Sequence, residues 1–417
     1  MMFPEHWTES LPSFLDAGQK EALLSGMRQE PSVSVRLNPF KLRQPPAGAA
    51  PVPWSPYGYI MDSRPSFTMD PLLHAGAYYV QDSSAMFVGE VFRRILPSVW
   101  QGRPLRVLDL CAAPGGKTTD LAASLRSAYG PGGYELVANE VVRGRAAVLS
   151  DNVARWGDAL VTVTSCGPAA LGRLHSAFDI IVADVPCSGE GMFRKDPVAV
   201  ADWSPSLVRM CAERQWRIIC DVWDALRTDG ILIYSTCTFS DGENDGNVRR
   251  ICNCLGAVTV RPELPPSYRG VVPTECGFLL LPGLVPGEGQ YCAALRKTSP
   301  APGLSARFSL GAALKSLHPL RRGLVKGGFK GRDFIPSEDW ALSLEYDAGA
   351  YPAVELSREQ ALKYLHCDTL MLPDAPSGFL AVCYDGLPLG FVKNLGSRCN
   401  NLHPRSRRIL KDIQGLS

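Results

Sequence analysis

The sequence predicts an α/β protein whose middle is a doubly wound domain with a mainly parallel sheet. Three observations predict it. Short apolar, β-branched stretches alternate with helical patterns from about residue 103 to 297. The first of these, 105–110, runs into Cys111-Ala112-Ala113-Pro114-Gly115-Gly116, small residues that permit a tight turn before a helix. Residues capable of chemistry stand just after the apolar stretches, the edge at which open parallel sheets bind ligands.

The elements follow in order. Strand 105–110 leads to a helix over 117–129, with Leu121, Leu125 and Ala128 on one face and Tyr129-Gly130-Pro131-Gly132-Gly133 ending it. Strand 134–139, helix 142–156, strands 160–164 and 178–183, helix 206–227, strand 231–236 and helix 243–255 complete the middle. Upstream, 4–27 is helical in pattern through Leu11, Phe14, Leu15, Leu23 and Leu24, and 32–37 alternates like a strand with Arg36 and Asn38 at its end. Six prolines make 39–56 a loop, and 74–86 leads into a helix over about 84–96. Tyr78, Tyr79 and Gln81 could stack on or hydrogen-bond a base, although packing is the commoner fate of such aromatics. The expected division is 1–102, 103–298 and 299–417.

Composition narrows the class. With 417 residues there is room for two or three domains, and 46% apolar with 20% charged residues is a globular balance. No run of 18 or more apolar residues is present, so a membrane span is not expected. The opening MMFPEHWTES lacks the pattern of a secretory signal, and thirteen scattered cysteines suit a reducing compartment. Both point to the cytoplasm. Net charge is only +2, yet 296–332 holds nine Lys or Arg and no acid, and 393–411 six more and no acid. Either run alone could be a solvated face; together, in one C-terminal region, they favour nucleic acid as partner.

The turn at 111–116 narrows the cofactor. Gly116-Lys117-Thr118 looks like the end of a phosphate-binding loop, but the glycine required five places earlier is Cys111, which disfavours a nucleotide triphosphatase. The G-x-G-x-x-G spacing of dinucleotide folds is also missing. Glu140 follows the second strand, where a carboxylate can accept hydrogen bonds from both hydroxyls of a ribose. A glycine turn and then an acid after the second strand is the order expected for an adenosyl cofactor.

Two cysteines end core strands. Asp184-Val185-Pro186-Cys187-Ser188 follows 178–183, and Cys237 follows 231–236, so a parallel sheet would bring both thiols and Asp184 to the edge that carries the glycine turn. For most other cysteines packing is the expected role. Zinc is improbable, since Cys252-x-Cys254 has neither a second pair nor a histidine at ligand spacing.

CAAPGGKT (111–118), the D-x-PCSGEGMFRKDP segment (184–197) and STCT (235–238) followed by Glu243-Asn244 resemble, in order and spacing, the Sun/Nop-type RNA cytosine-5 methyltransferases. RLN (36–38) and YYVQDSSA (78–85) extend the resemblance upstream. Gly390 to Leu395 with Asn400-Asn401 is similar to the C-terminal PUA-like module of the bacterial RsmF-like subgroup, which modifies small-subunit ribosomal RNA.

The resemblance implies a Rossmann-like class I S-adenosylmethionine methyltransferase domain. It also implies an N-terminal α/β extension and a C-terminal PUA-like α+β region that binds RNA. By the same resemblance, Cys111, Ala112, Ala113, Pro114, Gly115, Gly116, Lys117 and Glu140 hold S-adenosylmethionine, Asp184 serves the cofactor and the target base, Cys237 attacks, and Cys187 resolves the covalent product. Val185 stands where Ala or Pro is usual, and near the adenine a polar residue is replaced, leaving Ser165 or Cys166 as candidates. Arg194 and Lys195 are candidate RNA contacts. No metal is implied. Transfer RNA is the nearest substrate alternative, and a non-catalytic assembly factor is the alternative of another class. A DNA-type enzyme would use Cys187 as nucleophile.

Overall fold

The computed structural model describes residues 3–42, 44–301, 303 and 308–413. Its centre is a nine-stranded sheet. Five strands are parallel, in the spatial order Val161–Thr164, Tyr134–Asn139, Leu105–Asp109, Phe178–Asp184, Leu226–Thr236. Their central residues are buried on both faces, which is why they read as continuous apolar runs rather than alternating ones. The chain leaves Leu105–Asp109 in one direction and returns on its other side with Phe178–Asp184, so the strand order reverses there. At such a reversal the loops diverge and open a crevice.

The sheet is less purely parallel than the sequence suggests. Gln290–Lys297 pairs antiparallel with Leu226–Thr236 and carries Phe278–Leu280 and Ala257–Val260 beside it, with Val271–Pro273 beyond. These four strands are absent from the sequence reading. Three of them are only three or four residues long, and the fourth, QYCAALRK, is rich in helix formers.

Helices Gly116–Tyr129 and Arg143–Trp156 begin within a residue of expectation. The helix expected over 206–227 stops at Val222, and the strand after it starts at Leu226 rather than 231. Thr228-Asp229-Gly230 reads as a turn, and Asp229 has φ +60°, but the strand carries it across a register shift against Phe178–Asp184. The helix expected to begin at 243 begins at Asp245. That expected over 84–96 is Phe87–Val99, with Pro97 tolerated in its last turn. In the first 27 residues the helix proper is Ala17–Gly26, opened by a capping box between Asp16 and Gln19.

An antiparallel sheet of four strands, Ala50–Pro51, Gly58–Met61, Val33–Leu37 and Tyr78–Val80, packs beside the central domain; its first strand lies in the proline-rich segment expected to be loop. Arg36 fastens it. Its fully buried guanidinium donates to Gln81 Oε1 (2.8 Å), the Gly116 carbonyl (3.0 Å) and Thr119 Oγ1 (2.5 Å), and lies 4.7 Å over the Trp156 ring. Gln81 is therefore spent on Arg36, and Tyr78 on Asp70 (2.7 Å), so packing wins for both.

At the C-terminal end, Ala353–Glu355, Gly378–Tyr384, Leu387–Asn394 and Cys399–Asn401 form a second four-stranded sheet, preceded by the hairpin Gly327–Lys330 and Asp333–Pro336. Here the basic runs need correction as RNA contacts. Lys297 is buried, donating to the Trp223 and Leu226 carbonyls at 2.9 and 3.0 Å. Arg321 is paired with Asp339 and Lys393 with Asp333. Arg407 joins Glu338 and Asp339 of the C-terminal part (2.7 Å each) to Asp151 of the central domain (2.9 Å) and so clamps the two together. Arg307 lies outside the described residues. Lys315, Arg322, Lys326, Lys330, Arg332, Arg398, Arg405, Arg408 and Lys411 remain exposed. Among the described residues, no helix is long and apolar enough to cross a membrane, and no group of three or more His, Cys, Asp or Glu could hold a metal ion.

Candidate active site

The site is assembled where the strand order reverses. After Leu105–Asp109 the chain turns through Cys111 to Gly115, whose φ of +113° lies in the region open to glycine, and Gly116 starts the helix. Thr118 Oγ1 donates to Asp109 Oδ2 (2.6 Å) and so anchors the turn; burial pushes the Asp109 carboxyl up to about 7. Asn139, at the end of the neighbouring strand, donates to the Leu110 and Cys166 carbonyls (3.2 and 3.0 Å) and accepts from Thr164 Oγ1 (2.9 Å). One amide thus fixes the ends of three strands. The sequence reading gave it no role.

Two cavities meet here. One, of about 610 Å³, is lined by Cys111, Ala113, Glu140, Val142, Arg145, Pro168 and the 184–189 loop. The other, of about 340 Å³, is lined by Ala112, Pro114, Gly116 and Lys117, with Tyr79, Lys195 and Glu288 opposite. Cys111, Ala113, Asp184, Met192 and Cys237 line both. Asp184 and Cys237 therefore stand in the shared wall.

Glu140 is buried, with Oε1 accepting from the Val142 N–H (2.9 Å) and Oε2 3.5 Å from Arg145. Asp184 is held at both oxygens, by Lys117 Nζ (2.8 Å) and Ser235 Oγ (2.7 Å). Burial opposes the Lys117 charge, but the adjacent Asp184 outweighs it and holds the ammonium above its usual range. Ser165 is not brought into either cavity: its Oγ is buried without a hydrogen-bond partner, Cys166 is bonded to Asn139, and Pro168 takes the lining position. Gly115 shapes the turn without lining a cavity.

Cys187 Sγ and Cys237 Sγ lie 3.2 Å apart, both as free thiols. The hydrogen bond to Cys237, reinforced by burial, holds the Cys187 thiol well above its ordinary range. Their loops are sewn together by two buried acids that sequence reasoning gave no role. Glu243 accepts from Ser188 N and Oγ (3.0 and 2.5 Å) and from Gln215 Nε2 (2.7 Å); Glu190 accepts from Phe239 N (2.7 Å) and Trp203 Nε1 (2.9 Å). The Gly191 N–H donates to the Cys237 carbonyl (2.8 Å), and a Cβ at Gly191 would come within 2.9 Å of that same oxygen. Both acids stood in the quoted motifs, surrounded by small and polar residues, but nothing in the sequence marked them as buried.

Arg194 is removed from the list of RNA contacts. Its guanidinium is buried on Glu288 (2.7 Å) and the Gly26 and Gly287 carbonyls. Lys195 does line the smaller cavity, paired with Asp82 and Glu288 at 3.4 and 3.1 Å.

Comparison with known proteins bears on this arrangement. Residues 103–296 match a family model described as 16S rRNA methyltransferase RsmB/F, residues 351–409 the methyltransferase RsmF PUA domain, and residues 3–83 the N-terminal domain of 16S rRNA methyltransferase RsmF. Ribosomal RNA small subunit methyltransferase F of Klebsiella pneumoniae (strain 342) is 31% identical over 412 residues, covering 85% of this chain and 84% of its own. That of Erwinia tasmaniensis is 29% identical, covering 97% and 96%. Against that of Serratia proteamaculans (strain 568) identity is 35%, but the chain spans only 53% of the relative's length. Two Pyrococcus horikoshii structures share the fold. A methyltransferase homologue superposes with TM-score 0.55 at 22% identity, covering 70% of this chain and 93% of its own. NSun6, crystallised with SFG, superposes with TM-score 0.57 at 18% identity, covering 71% and 99%.

Proposed function

This chain belongs to the RsmB/F family of 16S rRNA methyltransferases, and from that premise we propose that it methylates carbon 5 of a cytosine in small-subunit ribosomal RNA, with Cys237 as nucleophile. The observation that carries the residue assignment is the pair of thiols 3.2 Å apart in a wall shared by two cavities, with Asp184 beside them.

The larger cavity suits S-adenosylmethionine: Cys111 and Ala113 of the turn form its floor, a buried carboxylate at Glu140 is there for ribose hydroxyls, and Val142 and Pro168 are apolar surfaces for the adenine face, while Gly116 and Lys117 face the smaller cavity next to it. When bound, S-adenosylmethionine supplies an electrophilic methyl group. The smaller cavity, on the Tyr79 and Lys195 side, receives the cytosine, which must be flipped out or presented unpaired.

Carbon 5 of cytosine is too weak a nucleophile unaided. The Cys237 thiolate adds to carbon 6, and the electron pair of the 5,6 double bond makes carbon 5 enamine-like and able to take the methyl group. Asp184, positioned by Lys117 and Ser235, steadies the N3 and N4 edge of the ring as electron density moves onto it. A water takes the carbon 5 proton, the C–H electron pair re-forms the 5,6 double bond, and the electron pair of the bond from carbon 6 to sulfur leaves with Cys237. Cys187, whose thiol retains its proton, is placed to donate that proton to the departing sulfur.

The RNA is held by the flanking regions, for which we take 1–102 and 299–417 as boundaries, and the reaction belongs to the cytoplasm, where ribosomal RNA is the substrate. The test is bisulfite sequencing of unmodified small subunits, naked ribosomal RNA and transfer RNA after incubation with the protein and S-adenosylmethionine. A newly protected ribosomal cytosine, absent with Cys237→Ala, is expected; protection in transfer RNA alone would replace the substrate, and none at all would return the protein to a binding role. Cys187→Ala should instead accumulate a protein–RNA adduct stable to denaturing electrophoresis, and free protein with normal turnover would remove Cys187 from product release.

A further inference from the structure

The family matches leave 297–350 unassigned, and within that segment stands the hairpin Gly327–Lys330 and Asp333–Pro336. Phe329 on its first strand is 79% exposed. A lone exposed phenylalanine is ordinary; this one has three further properties. Its cross-strand partner Phe334 holds it edge-on, with centroids 5.4 Å apart and planes at 71°, while Phe334 itself packs against the cluster of Trp340 and Phe391. The ring is thereby supported from one side. Lys330 and Arg332, next to it in the chain, are exposed, whereas the Lys326 ammonium lies 5.2 Å over the Trp340 ring. The single acid of the hairpin, Asp333, is already engaged by Lys393 at 2.6 Å.

An apolar patch awaiting a protein partner would not need exposed Lys330 and Arg332 next to it. A ring with a supported edge, flanked by cations without a competing free acid, matches a nucleotide: a base for the aromatic surface and phosphates for the charges. We propose that this hairpin is a stacking finger for an unpaired nucleotide of the RNA, with Phe329 against the base and Lys330 and Arg332 on the adjoining phosphates. The proposal rests on the reading of ribosomal RNA as substrate, and it adds a contact outside the three family-matched regions.

Affinity of the full chain is measured for naked small-subunit ribosomal RNA and for unmodified small subunits, at two salt concentrations, alongside the bisulfite assay and S-adenosylmethionine binding. Phe329→Ala should weaken RNA binding roughly 5- to 150-fold, the range equivalent to losing one base–aromatic stack, with cofactor binding unchanged as evidence of an intact fold. Phe329→Tyr should bind like the natural chain, and Phe329→Leu should be as weak as the alanine variant. Lys330→Ala should lower the salt dependence by about one counterion, which Phe329→Ala should not do.

Equal binding by Phe329→Ala and the natural chain overturns the finger. Retention by Phe329→Leu replaces stacking with a merely apolar contact, and a loss confined to assembled subunits makes the partner a ribosomal protein; both overturn it. If the natural chain protects a ribosomal cytosine while Phe329→Ala binds normally, this inference fails alone. If no ribosomal cytosine is protected but Phe329→Ala still loses affinity, the finger stands and the proposed reaction fails.

Discussion

The cysteine loops and the C-terminal clamp both depend on buried carboxylates, but satisfy them in opposite ways. Glu190 and Glu243 accept hydrogen bonds from neutral donors: two backbone N–H groups, a serine, a glutamine and a tryptophan. Burial then dominates, and both carboxyls are pushed above their usual range, Glu243 to about 7. At the clamp, burial also disfavours the Asp339 charge, but Arg321 and Arg407 outweigh it and hold that carboxyl below its usual range. The two regions therefore titrate with opposite sign. Pinning by neutral donors puts no cation beside a thiolate nucleophile, whereas a clamp between modules gains from the strength of guanidinium–carboxylate pairs.

Arg407→Ala leaves Glu338, Asp339 and Asp151 without a shared cation, and removing one partner of a buried pair costs about 3–5 kcal/mol. Chemical denaturation should show that loss, with transitions of the C-terminal and central regions separating. A cost near 0.5 kcal/mol would mean the clamp is a surface ornament. Lys297→Met is the next test: it keeps the apolar stem beside Trp223 but removes the ammonium donor from the Trp223 and Leu226 carbonyls, the first of which keeps the Leu226 N–H, at about 1–3 kcal/mol of stability. RNA affinity should not change. A fall in affinity with unchanged stability would restore Lys297 to the RNA-binding surface.

These outcomes bear on what a sequence discloses. Strand ends were legible, because an apolar run followed by small polar residues places Asp184, Cys187 and Cys237 at one edge once the sheet is parallel. Glu140 was legible for the same reason. The basic runs were not, since what a cation does depends on an acid anywhere in the chain: Arg407 meets Asp151, 256 positions away. Ser165 failed differently, as a position one residue past a strand is decided by how the backbone leaves the sheet, and here Asn139 takes hold of Cys166. The short antiparallel strands had too little pattern to register, and the acids Glu190 and Glu243 gave no sign that they would be buried.

The finest test of the contrast is the pH dependence of stability. Glu243 has its carboxyl raised from 4.5 to about 7, chiefly by burial, so the folded chain binds its proton more tightly than the unfolded chain does. Between those values the native state holds more protons, and stability must fall as pH rises. It is fully present below about 4.5 and lost through about 7, a change of roughly 2–4 kcal/mol for this one group. Asp109, raised to about 7 by burial, adds to the same slope. Asp339 acts oppositely: its contribution is present above the unfolded value of 3.8 and lost as pH falls below it, so the two trends do not share a window. Glu243→Gln keeps the volume and can still accept from Ser188 N while removing the titration. Denaturant melts at pH 5 and 7.5 should then show a smaller difference for Glu243→Gln than for the natural chain. If the two differences are equal, Glu243 enters the fold already charged, and its three hydrogen-bond donors outweigh burial behind the nucleophile.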